Sequence, residues 1–184
     1  MQGVGHVGYF LCQDLAEEGA QLTVTDIDQE KIDICVNEFG AKAVGPEEIY
    51  GVDADIFSPC ALGAILNDDT LKVLNVDIVV GGANNQLAEA RHAAEVEDKG
   101  ILYGPDYLVN AGGLINVYAE VEGWPAERSL RKAGEIYSTL LRILELAENE
   151  GITTAEAADK VAEHRMADVQ YLHRTELGSV DYGI

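Results

Sequence analysis

Three glycines near the start of the chain have the spacing of a phosphate-binding loop. Gly3, Gly5 and Gly8 form the pattern G-x-G-x-x-G. In this pattern the first glycine permits a tight turn, the second lets the backbone approach a pyrophosphate, and the third lets a helix pack closely on a strand. A helix that begins near His6 directs free N–H groups at the phosphates. The spacing alone is weak, because glycine-rich turns also have structural causes.

An acidic residue supplies the second part of the pattern. Asp26 lies 18 positions after Gly8, at the end of the β-branched run "QLTVTD", which predicts a strand. A carboxylate at this place accepts hydrogen bonds from the adenine-side ribose hydroxyls and repels a 2′-phosphate. The sequence therefore predicts dinucleotide binding with NAD preferred over NADP. Asp28 could share the role of Asp26.

Three further segments place small and amide side chains after predicted strands. They are "DIFSPCALGAILND" with Pro59 and Cys60, "GGANNQL" with Asn84 and Asn85, and "PDYLVNAGGLINV" with Asn110. The carboxyl ends of parallel strands meet at one edge of a sheet, so these segments are expected to line one cleft. Asparagine and glycine also form ordinary turns, but their presence at three strand ends favours a cofactor cleft.

The hydrophobic pattern predicts alternating helices and strands that would position these residues. Helices are predicted over 5–19, 28–40, 85–100 and 112–123, and strands over 21–26, 41–44, 54–57, 76–82 and 100–105. Two longer helices follow over 127–149 and 154–172, the second capped by Thr153 or Thr154, and the last residues, 176–184, form a polar tail. The predicted fold is a doubly wound, mostly parallel α/β sheet with two C-terminal helices. Residues 1–126 are expected to form the dinucleotide-binding domain, with 127–184 continuous with it.

The charge balance excludes some classes of partner. The chain has 33 Asp and Glu residues against 12 Lys and Arg, a formal net charge of −21, which disfavours nucleic acid as a partner. Two interpretations of this acidity stay open, adaptation to high salt and an ordinary acidic enzyme. No apolar run approaches the ~18–20 residues of a membrane span, and no secretory signal is evident. We therefore expect a cytoplasmic protein without a membrane partner.

Cysteines and histidines are spaced unlike the ligands of a metal site. Cys12, Cys35 and Cys60 form neither a disulfide framework nor a C-x-x-C motif, and they are expected to be small buried residues. His164 and His173 lie nine positions apart on a predicted helix, which fits no common zinc motif. The sequence therefore predicts no metal site.

Several segments together resemble one enzyme family. "QGVGHVG", "VTDID" and the three strand-end segments are similar to the C-terminal nucleotide-binding domain of the glutamate/leucine/phenylalanine/valine dehydrogenases. The similarity covers nearly the whole chain and is greatest to the leucine branch, and "PCALG" favours the leucine, phenylalanine and valine branches over glutamate dehydrogenase. The resemblance implies a Rossmann-like fold.

Only Met1 and Gln2 precede the glycine loop, so the first strand is expected to be truncated. Met1 could correspond to an internal valine codon that was read as a start codon.

The resemblance also implies roles for individual positions around NAD and the substrate. At the pyrophosphate these positions are Gly3, Gly5, His6, Val7 and Gly8, and at the adenosine ribose they are Asp26 and Ile27. Cys60 and Ala61 are implied to contact the cofactor through their backbone, and Ala83, Asn84 and Asn85 to lie near the nicotinamide ribose. Asn110 is implied to lie between the nicotinamide and the substrate's amino group. His6 stands where asparagine is common, but that position acts through its backbone. Leu114 and Val117 match apolar residues of the substrate side-chain pocket, with core packing of their helix as the alternative.

In this family an L-amino acid gives its α-hydride to NAD, and the imine is hydrolysed to a 2-oxo acid and ammonia. In family members two catalytic lysines and an aspartate lie in an N-terminal domain. No segment of this chain matches that domain. We therefore expect no catalytic residue in this chain, and an N-terminal catalytic domain as its partner in a homo-oligomer when full length. The expected substrate is L-leucine or a related branched-chain amino acid. The alternatives are the valine and phenylalanine branches, and a non-catalytic NAD-binding module.

Overall fold

The computed structural model describes the backbone of residues 1–176 and the side chains of residues 1–169. The helices are α1 (His6–Glu17), α2 (Gln29–Phe39), α3 (Thr70–Val73), α4 (His92–Asp98), α5 (Asp106–Val109), α6 (Gly112–Val121), α7 (Ala126–Glu150) and α8 (Thr154–Glu176). The strands are β1 (Thr23–Val24), β2 (Lys42–Ala43), β3 (Ile56–Phe57), β4 (Ile78–Val79) and β5 (Leu102–Tyr103), and a 3₁₀ helix spans Glu48–Gly51.

The first three residues join two parallel sheets. β1 pairs with β2, and β3, β4 and β5 pair in that order, all parallel. Gln2 forms parallel bridges to both Thr25 and Pro59. The Gly3 amide donates to the Thr25 carbonyl at 2.8 Å, and the Cys60 amide donates to the Gln2 carbonyl at 2.7 Å. The order is therefore β2, β1, residues 1–3, β3, β4, β5, which confirms the predicted doubly wound sheet with a short first segment at its centre.

One predicted helix begins later than expected. The sequence predicted a helix over 85–100, whereas α4 begins at His92. The residues before it pair with another loop, since the Leu66 amide donates to the Gln86 carbonyl at 2.9 Å and the Ala88 amide donates to the Leu66 carbonyl at 3.0 Å. These backbone groups are therefore not free to form helical hydrogen bonds. The prediction was wrong for residues 85–91.

The helix ends follow their local sequence. The Asp28 carboxylate caps α2 by accepting from the Glu30 amide at 3.1 Å, and Gly40 ends this helix at φ +66°. Of the two predicted caps for α8, Thr153 is the one used: its hydroxyl accepts from the Glu156 amide at 3.1 Å, and the Glu156 carboxylate accepts from the Thr153 amide at 2.9 Å. The polar tail predicted for 176–184 lies outside the described residues beyond Glu176.

Thr154 joins the C-terminal helices to the sheet. Its buried hydroxyl donates to the Tyr103 carbonyl at 2.8 Å, and its amide donates to Glu97 of α4 at 2.6 Å. α7 and α8 also pack on each other through Ile143 and Ala157. The two long helices are thereby fixed to the β5 side of the sheet.

Two of the three cysteines belong to the core. Cys12 of α1 and Cys35 of α2 are buried in one cluster with Val24, and burial raises the pKa of the Cys12 thiol to about 12. Burial also raises the pKa of Cys35. The prediction of burial is confirmed for these two, whereas Cys60 is only partly buried. In the part of the chain that the structure describes, no helix has the length and apolar character needed to cross a membrane.

Candidate functional site

Two of the loop glycines are required by close packing. A Cβ placed on Gly8 would lie 2.0 Å from the Gly3 carbonyl oxygen, which no rearrangement of a side chain can relieve. Gly3 has φ +89°, and a Cβ there would lie 2.7 Å from the Cβ of Ala61. The loop therefore packs tightly against the start of α1 and against the turn after β3, as the G-x-G-x-x-G pattern predicts for its first and third glycines.

The middle glycine faces open space instead. A Cβ on Gly5 would meet no heavy atom within 4 Å. Gly5 is the N-cap of α1 and offers no capping side chain, and the first turn contains no acidic residue. His6 and Val7, the first residues of this helix, are exposed. The positive end of the α1 dipole thus faces open space, and this arrangement suits an anion.

Asp26 is held in place by two backbone amides. The Val4 amide donates to Oδ2 at 2.7 Å, and the Asp28 amide donates to Oδ1 at 3.0 Å. A carboxylate has about four lone-pair sites, so both oxygens can still accept from a ligand hydroxyl. Ile27 beside it is 98% exposed and leaves an apolar surface next to the carboxylate. The predicted ribose site is therefore formed by a fixed carboxylate and a bare aliphatic side chain.

The turns after β3 and β4 are bonded to each other. The Gly82 amide donates to the Cys60 sulfur at 3.4 Å, and the Ala83 amide donates to the Pro59 carbonyl at 2.9 Å. Cys60 is half-buried here, and Ala61 is exposed. The structure therefore brings together the two predicted backbone-contact residues and the segment that begins at Ala83.

The asparagines after β4 and β5 also meet. The Asn110 side-chain amide donates to Asn84 Oδ1 at 2.5 Å and lies 3.4 Å from the Ala83 carbonyl. Asn85 has φ +51°, a left-handed conformation that asparagine tolerates better than most residues. The predicted nicotinamide-side residues therefore form one hydrogen-bonded group at the carboxyl edge of the sheet.

The two predicted substrate-pocket residues lie on α6. Leu114 is 73% exposed and Val117 is 58% exposed. Three positions apart, they share one face of the helix. Both side chains are open to solvent, so they do not pack in the core of this chain.

Sequence reasoning missed the residue that holds the β4 turn. Gln86 is fully buried, and its side-chain amide donates to the carbonyls of Gly81 at 2.8 Å and Ala83 at 2.9 Å. Its own backbone amide donates to the Asp106 carboxylate at 2.8 Å. The sequence around Gln86 has a helical pattern and does not indicate that this side chain supports the β4 turn. The support depends on contacts to the β4 turn and to α5, which are distant in the sequence.

One group of possible metal ligands lies apart from this cleft. The ligand atoms of Asp68, His92 and Glu95 all lie within 4.8 Å of one another. The Arg91 guanidinium bonds to both carboxylates, at 2.8 Å to Asp68 and 2.6 Å to Glu95. Hydrogen bonds from Arg91 and His92 hold the pKa of Asp68 at about 2. The arginine already supplies the positive charge that these carboxylates need, so this cluster is an ion-pair network at the surface.

The sequence matches a known family over most of its length. Residues 23–175 match the glutamate/leucine/phenylalanine/valine dehydrogenase family. Leucine dehydrogenase of Thermoactinomyces intermedius is 52% identical over 166 residues, which is 90% of this chain and 45% of that protein. Phenylalanine dehydrogenase of Caldalkalibacillus thermarum is 44% identical over 171 residues, which is 90% of this chain and 46% of that protein. The chain spans about half the length of the curated relatives it matches.

A solved structure matches the fold closely. The crystal structure of L-tryptophan dehydrogenase from Nostoc punctiforme superposes with a TM-score of 0.90 at 47% identity. The match covers 92% of this chain and 52% of that one. The similar proteins thus include dehydrogenases of aliphatic and of aromatic amino acids.

Proposed function

Because the chain belongs to the glutamate/leucine/phenylalanine/valine dehydrogenase family, we propose that it is the NAD-binding part of an amino-acid dehydrogenase. The observation that carries this proposal is the pairing of two features around one cleft. The uncapped N-terminus of α1 faces the open space at Gly5, and Asp26 lies beside it with a fixed carboxylate. This is the combination that a pyrophosphate and a ribose diol require.

The residues of this chain would bind and orient the dinucleotide from one end to the other. Amides of the first turn of α1 would bind the pyrophosphate, and Asp26 with Ile27 would hold the adenosine ribose. Cys60, Ala61 and the segment Ala83–Asn85 would line the nicotinamide ribose, and Asn110 would lie between the nicotinamide and the substrate. When bound, NAD supplies a hydride acceptor. The chain's own contribution is to fix the position at which that acceptor meets the substrate.

The proposed reaction of the whole enzyme is oxidative deamination of L-leucine or a related branched-chain amino acid. The exposed aliphatic side chains of Leu114 and Val117 suit such a substrate, as does the similarity to leucine dehydrogenases. Phenylalanine is an alternative substrate, because one relative is a phenylalanine dehydrogenase, and valine is an alternative as another branched-chain amino acid. We also propose that residues 1–126 and 127–184 form one continuous unit. The cytoplasmic location and the homo-oligomer stay predictions.

The chain alone is expected to form no NADH from L-leucine, because no lysine in it matches the catalytic residues of the family. NADH absorbance at saturating leucine and NAD measures this directly. Leucine-dependent NADH formation by the purified chain would contradict the proposal that it carries only the cofactor part of the site. Mixing in leucine dehydrogenase of Thermoactinomyces intermedius provides the positive control for the assay.

Replacing Asp26 with asparagine is expected to weaken NAD binding by about tenfold, or ~1.4 kcal/mol. Affinity for NADP should rise relative to NAD, because the charge that repels a 2′-phosphate is removed. Calorimetric titration of both dinucleotides into native and variant chains measures the ratio. Asp28→Asn is the matched control: Asp28 caps α2 and pairs with Lys31, so its loss should leave the ratio unchanged. If Asp28→Asn changes the ratio and Asp26→Asn does not, Asp28 is the ribose ligand.

A further inference from the structure

One carboxylate connects two of the segments at the proposed nicotinamide end of the cleft. Asp106 begins α5, and its Oδ2 accepts from the Gln86 amide at 2.8 Å. Its Oδ1 accepts from the Tyr107 amide at 2.6 Å. Gln86 lies 20 positions earlier, in the turn after β4, so the two oxygens hold backbone that belongs to different elements. Hydrogen bonds to an ionised carboxylate are among the strong ones in proteins, so this link is a firm one.

Each end of this link lies close to an asparagine of the site. Gln86 follows Asn84 by two positions in the β4 turn. Asn110 lies at the other end of α5, where its backbone amide donates to the Asp106 carbonyl at 2.9 Å. The Asn110 side-chain amide donates in turn to Asn84 Oδ1 at 2.5 Å. These four residues therefore form a closed ring of short chain segments and hydrogen bonds.

The β4 turn is fixed on its other side by the segment that follows β3. The Ala64 amide donates to the Asn85 carbonyl at 2.6 Å, and the Leu66 amide donates to the Gln86 carbonyl at 2.9 Å. Asn85 has φ +51°, and such a conformation persists only where the surrounding structure holds it. The turn thus has a set position relative to the segment after β3, and the link through Asp106 sets its position relative to α5.

α5 is too short to fix Asn110 through its own hydrogen bonds. It has four residues, Asp106–Val109, and a helix of a single turn is not stable by itself. Two side chains tie it to other elements: the Asp106 carboxylate bonds to the β4 turn, and the Tyr107 hydroxyl donates to Asp159 of α8 at 2.9 Å. The first of these two bonds joins α5 to the segment that contains Asn84.

We propose that Asp106 is a positioning residue for the nicotinamide end of the dinucleotide. This inference rests on the proposed function, which places Asn84 and Asn110 beside the nicotinamide. Asp106 acts through these two asparagines, because its carboxylate sets the distance between the β4 turn and α5. Side chains that bind a ligand must be held to within about 0.5 Å of the productive geometry. A single helical turn does not hold Asn110 that closely without the link.

Asp106→Asn tests this role, because it replaces one oxygen by an NH2 group, which cannot accept from a backbone amide. The amide of Gln86 or of Tyr107 then loses its partner. We expect the affinity for NAD to fall about tenfold, within the range for a lost hydrogen bond to a charged group. The affinity for ADP should stay within about twofold of the native value, because ADP lacks the nicotinamide half and sites that share no partners behave independently. Calorimetric titration of NAD and ADP into both chains gives the ratio of the two affinities.

A second measurement reports the nicotinamide ring itself. NADH fluoresces from its nicotinamide, so saturating the variant should raise the emission of NADH less than saturating the native chain. A residue that only stabilises the fold would weaken ADP and NAD alike and would leave the emission of bound NADH unchanged. Asp159→Asn is the matched control, since it makes the same change at the exposed carboxylate that accepts from the Tyr107 hydroxyl. It should alter neither the ratio of affinities nor the emission.

Failure of this inference and failure of the proposed function give different results. If the native chain binds neither ADP nor NAD, the proposed cofactor site is wrong and the role of Asp106 falls with it. If both bind and Asp106→Asn keeps the native ratio, the role of Asp106 alone is overturned. The same conclusion follows if the variant loses both affinities equally, if the native chain binds NAD no more tightly than ADP, or if Asp159→Asn has the same effect.

Discussion

The Gly8→Ala variant is expected to lose NAD binding and to unfold about 6–12 °C below the native chain. The added Cβ would lie 2.0 Å from the Gly3 carbonyl oxygen. Because that atom belongs to the backbone, the loop and the start of α1 must move apart. Forced packing of this kind costs about 3 kcal/mol, and a domain of this size loses ~2–4 °C in Tm per kcal/mol.

Two other glycines provide matched controls for this variant. Gly5→Ala adds the same methyl group where no heavy atom lies within 4 Å. It should therefore lower the Tm by no more than about 2–4 °C, the effect of alanine at an N-cap, and still weaken NAD binding by about tenfold or more, because the methyl fills the space of the pyrophosphate. Gly134→Ala, inside α7, should leave NAD binding unchanged and stabilise the helix by up to ~1 kcal/mol. Differential scanning fluorimetry with and without NAD measures both properties. A Gly8→Ala chain with native Tm and native NAD affinity would disprove the packing argument.

The Gln86→Leu variant is expected to lower the free energy of unfolding by about 2 kcal/mol. Leucine keeps the apolar volume but leaves the carbonyls of Gly81 and Ala83 without the side-chain amide that each now accepts from. The Oε1 atom of Gln86 has no partner among the described residues, so its removal offsets part of the cost. NAD affinity should fall as well, because the β4 turn carries Ala83 and Asn84.

The exposed Gln29 provides the control for this substitution. Its side-chain amide bonds to Asp33 at the surface of α2 at 2.8 Å. Gln29→Leu makes the same chemical change and should alter the free energy of unfolding by less than about 0.5 kcal/mol. Urea denaturation of both variants measures the difference. Equal effects at the two positions would mean that the buried amide of Gln86 does not support the turn.

Local rules explain the parts of this fold that the sequence predicted well. Asp28 and Gly40 end α2 as their types predict, and the close packing at Gly3 and Gly8 agrees with the glycine spacing. Each of these features depends on a few neighbouring residues, so propensity and spacing are sufficient. The doubly wound order followed from the alternation of strands and helices.

The features that the sequence did not predict depend on distant contacts. Residues 85–91 have a helical pattern, but their pairing with Leu66 prevents a helix. Gln86 acts through the β4 turn and Asp106, and nothing within its own segment indicates this. The approach of Arg131 and Arg165, which line one cavity, appears only when α7 and α8 pack together. Tertiary partners of this kind override local preference.

Gln2 joins the two halves of the sheet, so the stability of their contact depends on the glycine loop that follows it. β1–β2 and β3–β5 are joined by the backbone of residues 1–3, and the glycine loop continues directly from those residues. A dinucleotide in the proposed site would contact Asp26 on one half and Cys60 and Asn84 on the other. Its binding free energy would then add to the cohesion between these two halves, which the backbone of residues 1–3 joins. Release of the ligand would remove this contribution, so the two halves of the sheet would separate more easily in the free chain than in the bound one.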